Sequence, residues 1–198
     1  MAQILVLYAT HDGQTAKIAS RIAEVLRARG NTPALIDAKH APRELDLERF
    51  DVACIGGPIH GSGYPASVAR FVRAHRDWLA RVPSCFFSVG LAVASRTTDG
   101  RAETRRVVDD FLRKTGFRPQ RVELIAGALL YTKYNFFLRW VMKRIAAKAG
   151  GDTDTTRDYE YTDWQAVERF ACELEGLART APASAARPSE VSLVHEHA

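Results

Sequence analysis

Residues 10–15, Thr-His-Asp-Gly-Gln-Thr, are the first segment whose residue types and spacing could bind a ligand. They follow the apolar run at residues 4–9 and precede a segment of helical periodicity. Hydroxyl groups, a glycine and free backbone N–H groups at the start of a helix form a site for a phosphate dianion. The same residue types also make an ordinary helix N-cap, so this loop alone leaves both interpretations open.

Two further segments of this kind follow later apolar runs. Residues 56–64, Gly-Gly-Pro-Ile-His-Gly-Ser-Gly-Tyr, contain four glycines that would let the backbone approach a flat ring closely. A flexible glycine-rich turn is the alternative. His60 is a candidate proton donor, because an unperturbed imidazole titrates near neutrality, although it could equally be an ordinary loop residue. Residues 88–96 also change character after a glycine and could line the far edge of such a ring.

The spacing of the first loop is neither that of a nucleoside triphosphate loop nor that of a dinucleotide fold. Its T-x-x-G-x-T pattern resembles the loop that holds the phosphate of FMN in flavodoxins. We therefore predict an FMN site formed by Thr10, His11, Asp12, Gly13, Gln14, Thr15, Gly57, Pro58, Ile59, His60, Gly61, Ser88, Val89, Gly90 and Leu91.

Short apolar runs alternate with helical segments along most of the chain, which predicts a parallel sheet covered by helices on both faces. Such a three-layer, doubly wound α/β fold places the three loops together at the carboxyl ends of its strands. A capping-box pattern beginning at Thr162 predicts the start of the last helix. The predicted strands are residues 4–9, 33–36, 51–56, 83–90 and 121–128, and the clearest helices are 13–29, 65–78, 101–115 and 162–177.

The excess positive charge lies entirely in one segment, residues 130–150. The chain of 198 residues has 28 basic and 23 acidic side chains, and this segment holds five of the basic ones and no acid. No nucleic-acid-binding signature accompanies it, so nucleic acid is not a predicted partner. Phe136, Phe137 and Trp140 would occupy one side of a helix, opposite basic side chains. Such a helix could lie on an anionic membrane, or pack its aromatic rings on the edge of the sheet.

Other classes of protein are disfavoured by what the sequence lacks. We find no signal peptide and no apolar run of the roughly 20 residues that a bilayer requires, so we expect a cytoplasmic, peripheral protein. Cys54, Cys85 and Cys172 show no paired spacing and are predicted to be reduced, and we predict no metal site. One domain is expected at residues 1–179, followed by a mobile Ala/Pro/Ser-rich tail at 180–198.

From residue 4 to residue 177 the chain resembles the flavodoxin-like, quinone-dependent protoporphyrinogen IX dehydrogenases of bacteria. The most specific resemblance lies in residues 127–134, 150–155 and 161–164, and the Asp-Gly-Gln-Thr run of the first loop also matches. Residues 58–62 depart from the Ser-Ile-Arg-Tyr-Gly type of run found in that family. The resemblance implies strand order 2-1-3-4-5 and a helical insertion at about residues 130–161.

The resemblance also implies a function in haem biosynthesis. FMN would oxidise protoporphyrinogen IX to protoporphyrin IX, and menaquinone or ubiquinone would accept the electrons at the inner face of the cell membrane. A flavodoxin-type electron carrier and an NAD(P)H:quinone oxidoreductase are the alternatives, and homo-oligomerisation is left open. The residues expected to meet substrate or membrane are Tyr131, Lys133, Tyr134, Arg139, Trp140, Lys143 and Arg144.

Overall fold

A five-stranded parallel sheet forms the centre of the computed structural model, which describes residues 1–42, 44–61, 63–95, 99–148 and 150–180. The strand order is β2-β1-β3-β4-β5, and each neighbouring pair is parallel, so the predicted doubly wound fold is confirmed. The strands are β1 (Gln3–Tyr8), β2 (Thr32–Asp37), β3 (Val52–Pro58), β4 (Ser84–Gly90) and β5 (Arg121–Ala126).

Helices cover both faces of this sheet, and β1 shows why its sequence is continuously apolar. Successive side chains of a strand point to opposite faces. Leu5 and Leu7 therefore pack in one core and Ile4 and Val6 in the other, and all four are fully buried. The first core includes α2 (Ala66–Ala74), α3 (Arg76–Leu79) and α4 (Gly100–Thr115), and the second includes α1 (Gln14–Ala28) and α6 (Trp164–Thr180).

The helix predicted at residues 65–78 is two helices in the structure. At His75 the backbone leaves the helical region, with φ −118° and ψ 24°. The short α3 that follows buries Trp78 and Leu79 against the core. The apolar pattern located these side chains correctly but does not reveal a change of axis between two consecutive turns.

The predicted fifth strand continued to residue 128, whereas β5 ends at Ala126. The Gly127 N–H donates to the Gly90 carbonyl at 3.2 Å, and the chain then leaves the sheet. Here β6 (Ala128–Leu129) pairs antiparallel with β7 (Tyr159–Glu160). A 3-10 turn (Tyr131–Lys133) and α5 (Phe136–Lys148) lie between these two strands, so the helical insertion after strand 5 is present.

The last helix starts where the capping-box pattern places it, but a different residue caps it. The Asp163 carboxylate accepts from the Ala166 N–H at 3.0 Å, as an N-cap residue does. The Thr162 hydroxyl instead donates to the Ala126 carbonyl at 2.7 Å. The predicted role of Thr162 as N-cap is therefore wrong, because its hydroxyl joins the insertion to the end of β5.

Among the described helices, none has both the length and the apolar character needed to cross a membrane. The predicted tail lies, from residue 181 onward, outside the described residues, as do Ser62 and Arg96 of the predicted loops.

Candidate flavin site

A cavity of about 520 Å³ opens at the carboxyl ends of β1, β3 and β4, where the predicted loops meet. This volume lies within the usual range for small-molecule sites. Of the predicted FMN-binding residues, the ones that line it are His11, Asp12, Gln14, Thr15, Pro58, Ile59, His60, Gly61, Val89, Gly90 and Leu91. The remainder, Thr10, Gly13, Gly57 and Ser88, are not among the described lining residues.

A hydrogen bond within the first loop stabilises its conformation: the Thr10 hydroxyl accepts from the Gly13 N–H at 3.0 Å. Gly13 has a positive φ of 99°, a conformation that favours glycine. Helix α1 begins at Gln14, and no described side chain caps its first turn. The N-cap interpretation of this loop is therefore not what the structure shows. The backbone N–H groups of the first turn are directed at the cavity end of the helix, as in an anion site.

The second loop uses its glycines mainly for packing. A Cβ at Gly56 would lie 1.9 Å from Phe87 Cζ, and one at Gly57 would lie 3.1 Å from Tyr64 Cδ1. These two glycines thus accommodate aromatic side chains of the core. Beyond them the chain makes a tight turn, in which His60 and Gly63 exchange backbone hydrogen bonds and Gly61 adopts a φ of 59°.

His60 and His11 meet at the rim of the cavity. Their rings stack with centroids 4.1 Å apart and planes inclined by 22°. His11 Nδ1 also lies 3.0 Å from an Asp12 carboxylate oxygen. The ligand atoms of these three residues lie within 4.8 Å of one another. The absence of a metal site stays a prediction from the sequence.

The third loop divides its residues between the core and the cavity. The buried Ser88 hydroxyl accepts from the Tyr64 O–H at 2.6 Å, and burial raises the pKa of Tyr64 well above its ordinary value. Val89, Gly90 and Leu91 follow and face the cavity. These three residues therefore line the cavity, whereas the Ser88 hydroxyl bonds the Tyr64 side chain behind them.

The insertion closes one side of the cavity with Tyr134, Val141 and Met142. Burial raises the pKa of Tyr134, so its phenol remains protonated and can donate a hydrogen bond near neutral pH. Of these three residues only Tyr134 was among the predicted site residues. Of the other lining residues, Ala92 falls in the predicted third loop, and Gly127 and Ala128 fall in the segment of most specific resemblance, although none of the three was among the predicted site residues. Glu103, Thr104 and Val107 were missed because they belong to a helix with an ordinary pattern and carry no motif.

Several residues predicted to meet substrate or membrane have structural contacts instead. Tyr131 is fully buried and donates its O–H to the Asp152 carbonyl at 2.9 Å. The Arg139 guanidinium donates to the carbonyls of Tyr131 and Tyr134 at 3.1 and 3.2 Å. Lys133 Nζ donates to the Asp12 carbonyl at 2.9 Å. These three side chains hold the insertion together and join it to the first loop.

The remaining predicted contacts lie on an exposed face of α5. Trp140 is 51% exposed, and its neighbours Phe136 and Phe137 are 88% and 72% exposed. The Arg144 guanidinium lies 4.9 Å from the centre of the Trp140 ring, and Lys143 is exposed on the same helix. Large aromatic side chains at such exposure are unusual on a protein surface and mark an interaction face.

Comparison with known proteins connects this geometry to a family. Residues 5–156 match the family model described as the flavodoxin domain. The chain is 37% identical over 173 residues to protoporphyrinogen IX dehydrogenase [quinone] of Escherichia coli (strain K12), covering 87% of this chain and 94% of that protein. It is 35% identical over 179 residues to the protein of that name from Leishmania major, covering 90% and 77%.

Solved flavodoxins share the fold at low sequence identity. Oxidised flavodoxin 1 from Bacillus cereus superposes with a TM-score of 0.51 at 15% identity, covering 88% of this chain and 98% of the flavodoxin. A short-chain flavodoxin associated with a non-canonical PDU bacterial microcompartment gives a TM-score of 0.54 at 15% identity, covering 92% and 100%.

Proposed function

Because the chain belongs to the flavodoxin domain family and, within it, to the protoporphyrinogen IX dehydrogenase [quinone] family, we propose that it oxidises protoporphyrinogen IX with FMN as cofactor and a quinone as acceptor. The product would be protoporphyrin IX, which places the reaction in haem biosynthesis. One observation carries the proposal beyond the fold. The insertion forms one side of the cavity at the strand ends, and its helix α5 exposes aromatic and basic side chains.

The described residues fit FMN. The uncapped first turn of α1, preceded by Gly13 at positive φ, suits a phosphate dianion. Ile59, Val89 and Leu91 offer apolar walls for a flat ring. FMN, when bound, accepts hydride equivalents from a substrate and passes them to a second acceptor. The residues of this chain then have to hold the ring, leave one side of it open to the porphyrinogen, and keep the phosphate in place.

We assign the substrate side of the cavity to the insertion. Tyr134, Val141 and Met142 offer a mostly apolar surface with one protonated phenol, which suits a macrocycle larger than a nicotinamide. Lys143 and Arg144 are the cations available to pair with the propionate groups of the substrate. His60 at the rim is the proposed group that exchanges protons with the substrate.

We further propose that α5 docks the protein on the inner face of the cell membrane. Its exposed Phe136, Phe137 and Trp140 would enter the interface between headgroups and acyl chains. Lys143 and Arg144 would meet anionic headgroups. A lipid-soluble menaquinone or ubiquinone would then reach the cavity from the side that α5 borders.

Anaerobic mixing of the FMN-loaded protein with protoporphyrinogen IX tests the proposed reaction. The expected result is bleaching of the flavin absorbance together with the appearance of porphyrin fluorescence, followed by recovery of the absorbance on addition of a quinone. A parallel sample receives NADPH in place of the porphyrinogen. Bleaching by NADPH with no response to the porphyrinogen would contradict the proposal and support a general quinone reductase.

A further inference from the structure

The first loop and the start of α1, where we place the phosphate of FMN, have little positive charge of their own. Residues 10–15 contain Asp12 and no lysine or arginine. The nearest cation on α1, Lys17, is engaged elsewhere: its ammonium lies 2.6 Å from a Glu160 carboxylate oxygen and 5.0 Å from the centre of the Trp164 ring. A phosphate dianion bound there would meet a negative neighbour and no cation supplied by the loop.

Lys133 of the insertion reaches the first loop from 121 residues downstream of Asp12. Its ammonium donates to the Asp12 carbonyl at 2.9 Å and lies 3.8 Å from where a Cβ at Gly13 would be. The ammonium therefore lies beside the backbone immediately before the start of α1. A neutral carbonyl uses only one of the three donors of a lysine.

The backbone that carries Lys133 is firmly held. The neighbouring Thr132 donates its N–H and its hydroxyl to the Asp158 carboxylate, at 2.9 and 2.7 Å. Arg139 donates to the carbonyl oxygens of Tyr131, the first residue of the 3-10 turn, and of Tyr134, the residue that follows the turn. A fixed backbone and the hydrogen bond to the Asp12 carbonyl together reduce the conformational freedom that the ammonium loses when it binds an anion.

We propose that Lys133 is a ligand of the FMN phosphate and that the bound cofactor thereby ties the insertion to the phosphate loop. This inference rests on the proposed function only in requiring FMN as the cofactor. It assigns Lys133 to cofactor binding, whereas the sequence placed it with the substrate or membrane contacts. Lysine binds phosphate as a point charge, and a charged pair is stronger than the ammonium–carbonyl bond it would supplement.

A comparison of FMN with riboflavin isolates the phosphate contribution, because riboflavin has the same ring and lacks the phosphate. Apoprotein is titrated with each ligand, and quenching of flavin fluorescence reports the Kd. Lys133→Gln is expected to weaken FMN binding by about tenfold or more and to leave riboflavin binding unchanged. Lys114→Gln, which removes the same charge from the exposed surface of α4, should change neither, and Lys133→Arg should restore much of the FMN affinity.

Three other results of these titrations would overturn the inference, each for a different reason. An unchanged Kd for FMN in Lys133→Gln would mean that the phosphate does not use this ammonium. Equal weakening of FMN and riboflavin would mean that Lys133 acts only on the fold of the site. Failure of the unaltered protein to bind either flavin would overturn the cofactor assignment itself, and with it the proposed function.

Amide hydrogen exchange supplies a readout that does not depend on affinity. At saturating ligand, FMN is expected to slow exchange in residues 128–134 more than riboflavin does. This difference should disappear in Lys133→Gln. Equal protection by the two flavins in the unaltered protein would contradict the coupling between phosphate and insertion.

Discussion

Gly56 leaves no room for a side chain, since the ring of Phe87 occupies the position that a Cβ would take. Gly56→Ala is therefore expected to destabilise the fold by about 1–3 kcal/mol, as overpacking a core does. Urea unfolding measures the change. Gly63→Ala is the matched control, because a Cβ there has no described heavy atom within 4 Å. Equal stability of the two variants would contradict this account of Gly56.

His60 belongs to the second loop, and its stacked position on His11 puts it at the cavity rim. We expect His60→Gln to retain FMN but to lower kcat with protoporphyrinogen by about tenfold or more, as loss of a general acid–base group does. His40→Gln, at an exposed turn after β2, serves as control. An unaltered kcat in His60→Gln would remove His60 from the chemistry.

Between elements, the packing of α1 on α6 includes an ion pair that is sensitive to acid. Hydrogen bonding to Arg29 holds the pKa of Glu175 below its ordinary value of 4.5, against partial desolvation, and Arg179 assists. A depressed carboxyl pKa stabilises the folded state above the unfolded value and loses that contribution as the pH falls through the folded value.

Glu175→Gln is accordingly expected to lower the urea midpoint at neutral pH. The difference from the unaltered protein should shrink as the pH falls from about 4.5 through the lower pKa of the folded state, below which both proteins carry an uncharged group at this position. Glu24→Gln, on the exposed side of α1, is a suitable control. A difference that stays constant into the acid range would show that the ion pair is not its source.

Helix α5 is the element whose exposed face we propose as the membrane contact. Reversal of Lys143 and Arg144 to glutamate should weaken binding to anionic vesicles by about tenfold or more, at roughly 1 kcal/mol for each surface cation. Co-sedimentation with phosphatidylglycerol vesicles measures this, and neutral phosphatidylcholine vesicles give the baseline. Arg139 is left intact, because its bonds to two carbonyls hold the insertion. Equal sedimentation of both proteins would exclude an electrostatic contact through these residues.

For the whole molecule, cofactor occupancy should raise stability by mass action. At a free FMN concentration about 100 times the Kd, the folded state gains about 2.7 kcal/mol. Thermal unfolding with and without FMN is expected to show a higher Tm for the loaded protein, and riboflavin at the same multiple of its own Kd should give a comparable rise. A Tm unchanged by FMN at this concentration would contradict selective binding of FMN to the folded state.

The fold and the general position of the site could be predicted from sequence because both follow from local patterns. The apolar run of β1 is continuous since both of its faces are covered, and loops that follow parallel strands must meet at one edge. The insertion gave less information. The two-residue strands β6 and β7 are too short for a periodic signal, and α5 showed only that it is amphipathic.

Contacts that join distant parts of the chain were beyond prediction for a different reason. Nothing near Lys133 in the sequence indicates that its ammonium lies against Asp12, and nothing near His11 indicates the stack on His60. Such contacts depend on how two loops are placed by the rest of the fold. The same holds for Arg139 and Tyr131. Both were expected to meet substrate or membrane, and the sequence did not indicate their hydrogen bonds to backbone carbonyls of the insertion.

The first loop lies near the start of the chain, whereas several residues that contact it lie far downstream. Residues that contact it or the first turn of α1 include Lys133, Glu160 and Thr162, the last of which accepts from Gln14 at 2.9 Å. A ribosome must therefore synthesise the chain as far as the start of its last helix before all of these partners exist. We expect flavin capture to be a late event in the maturation of the protein, following formation of the sheet. In refolding experiments, quenching of flavin fluorescence should then lag behind the recovery of secondary structure.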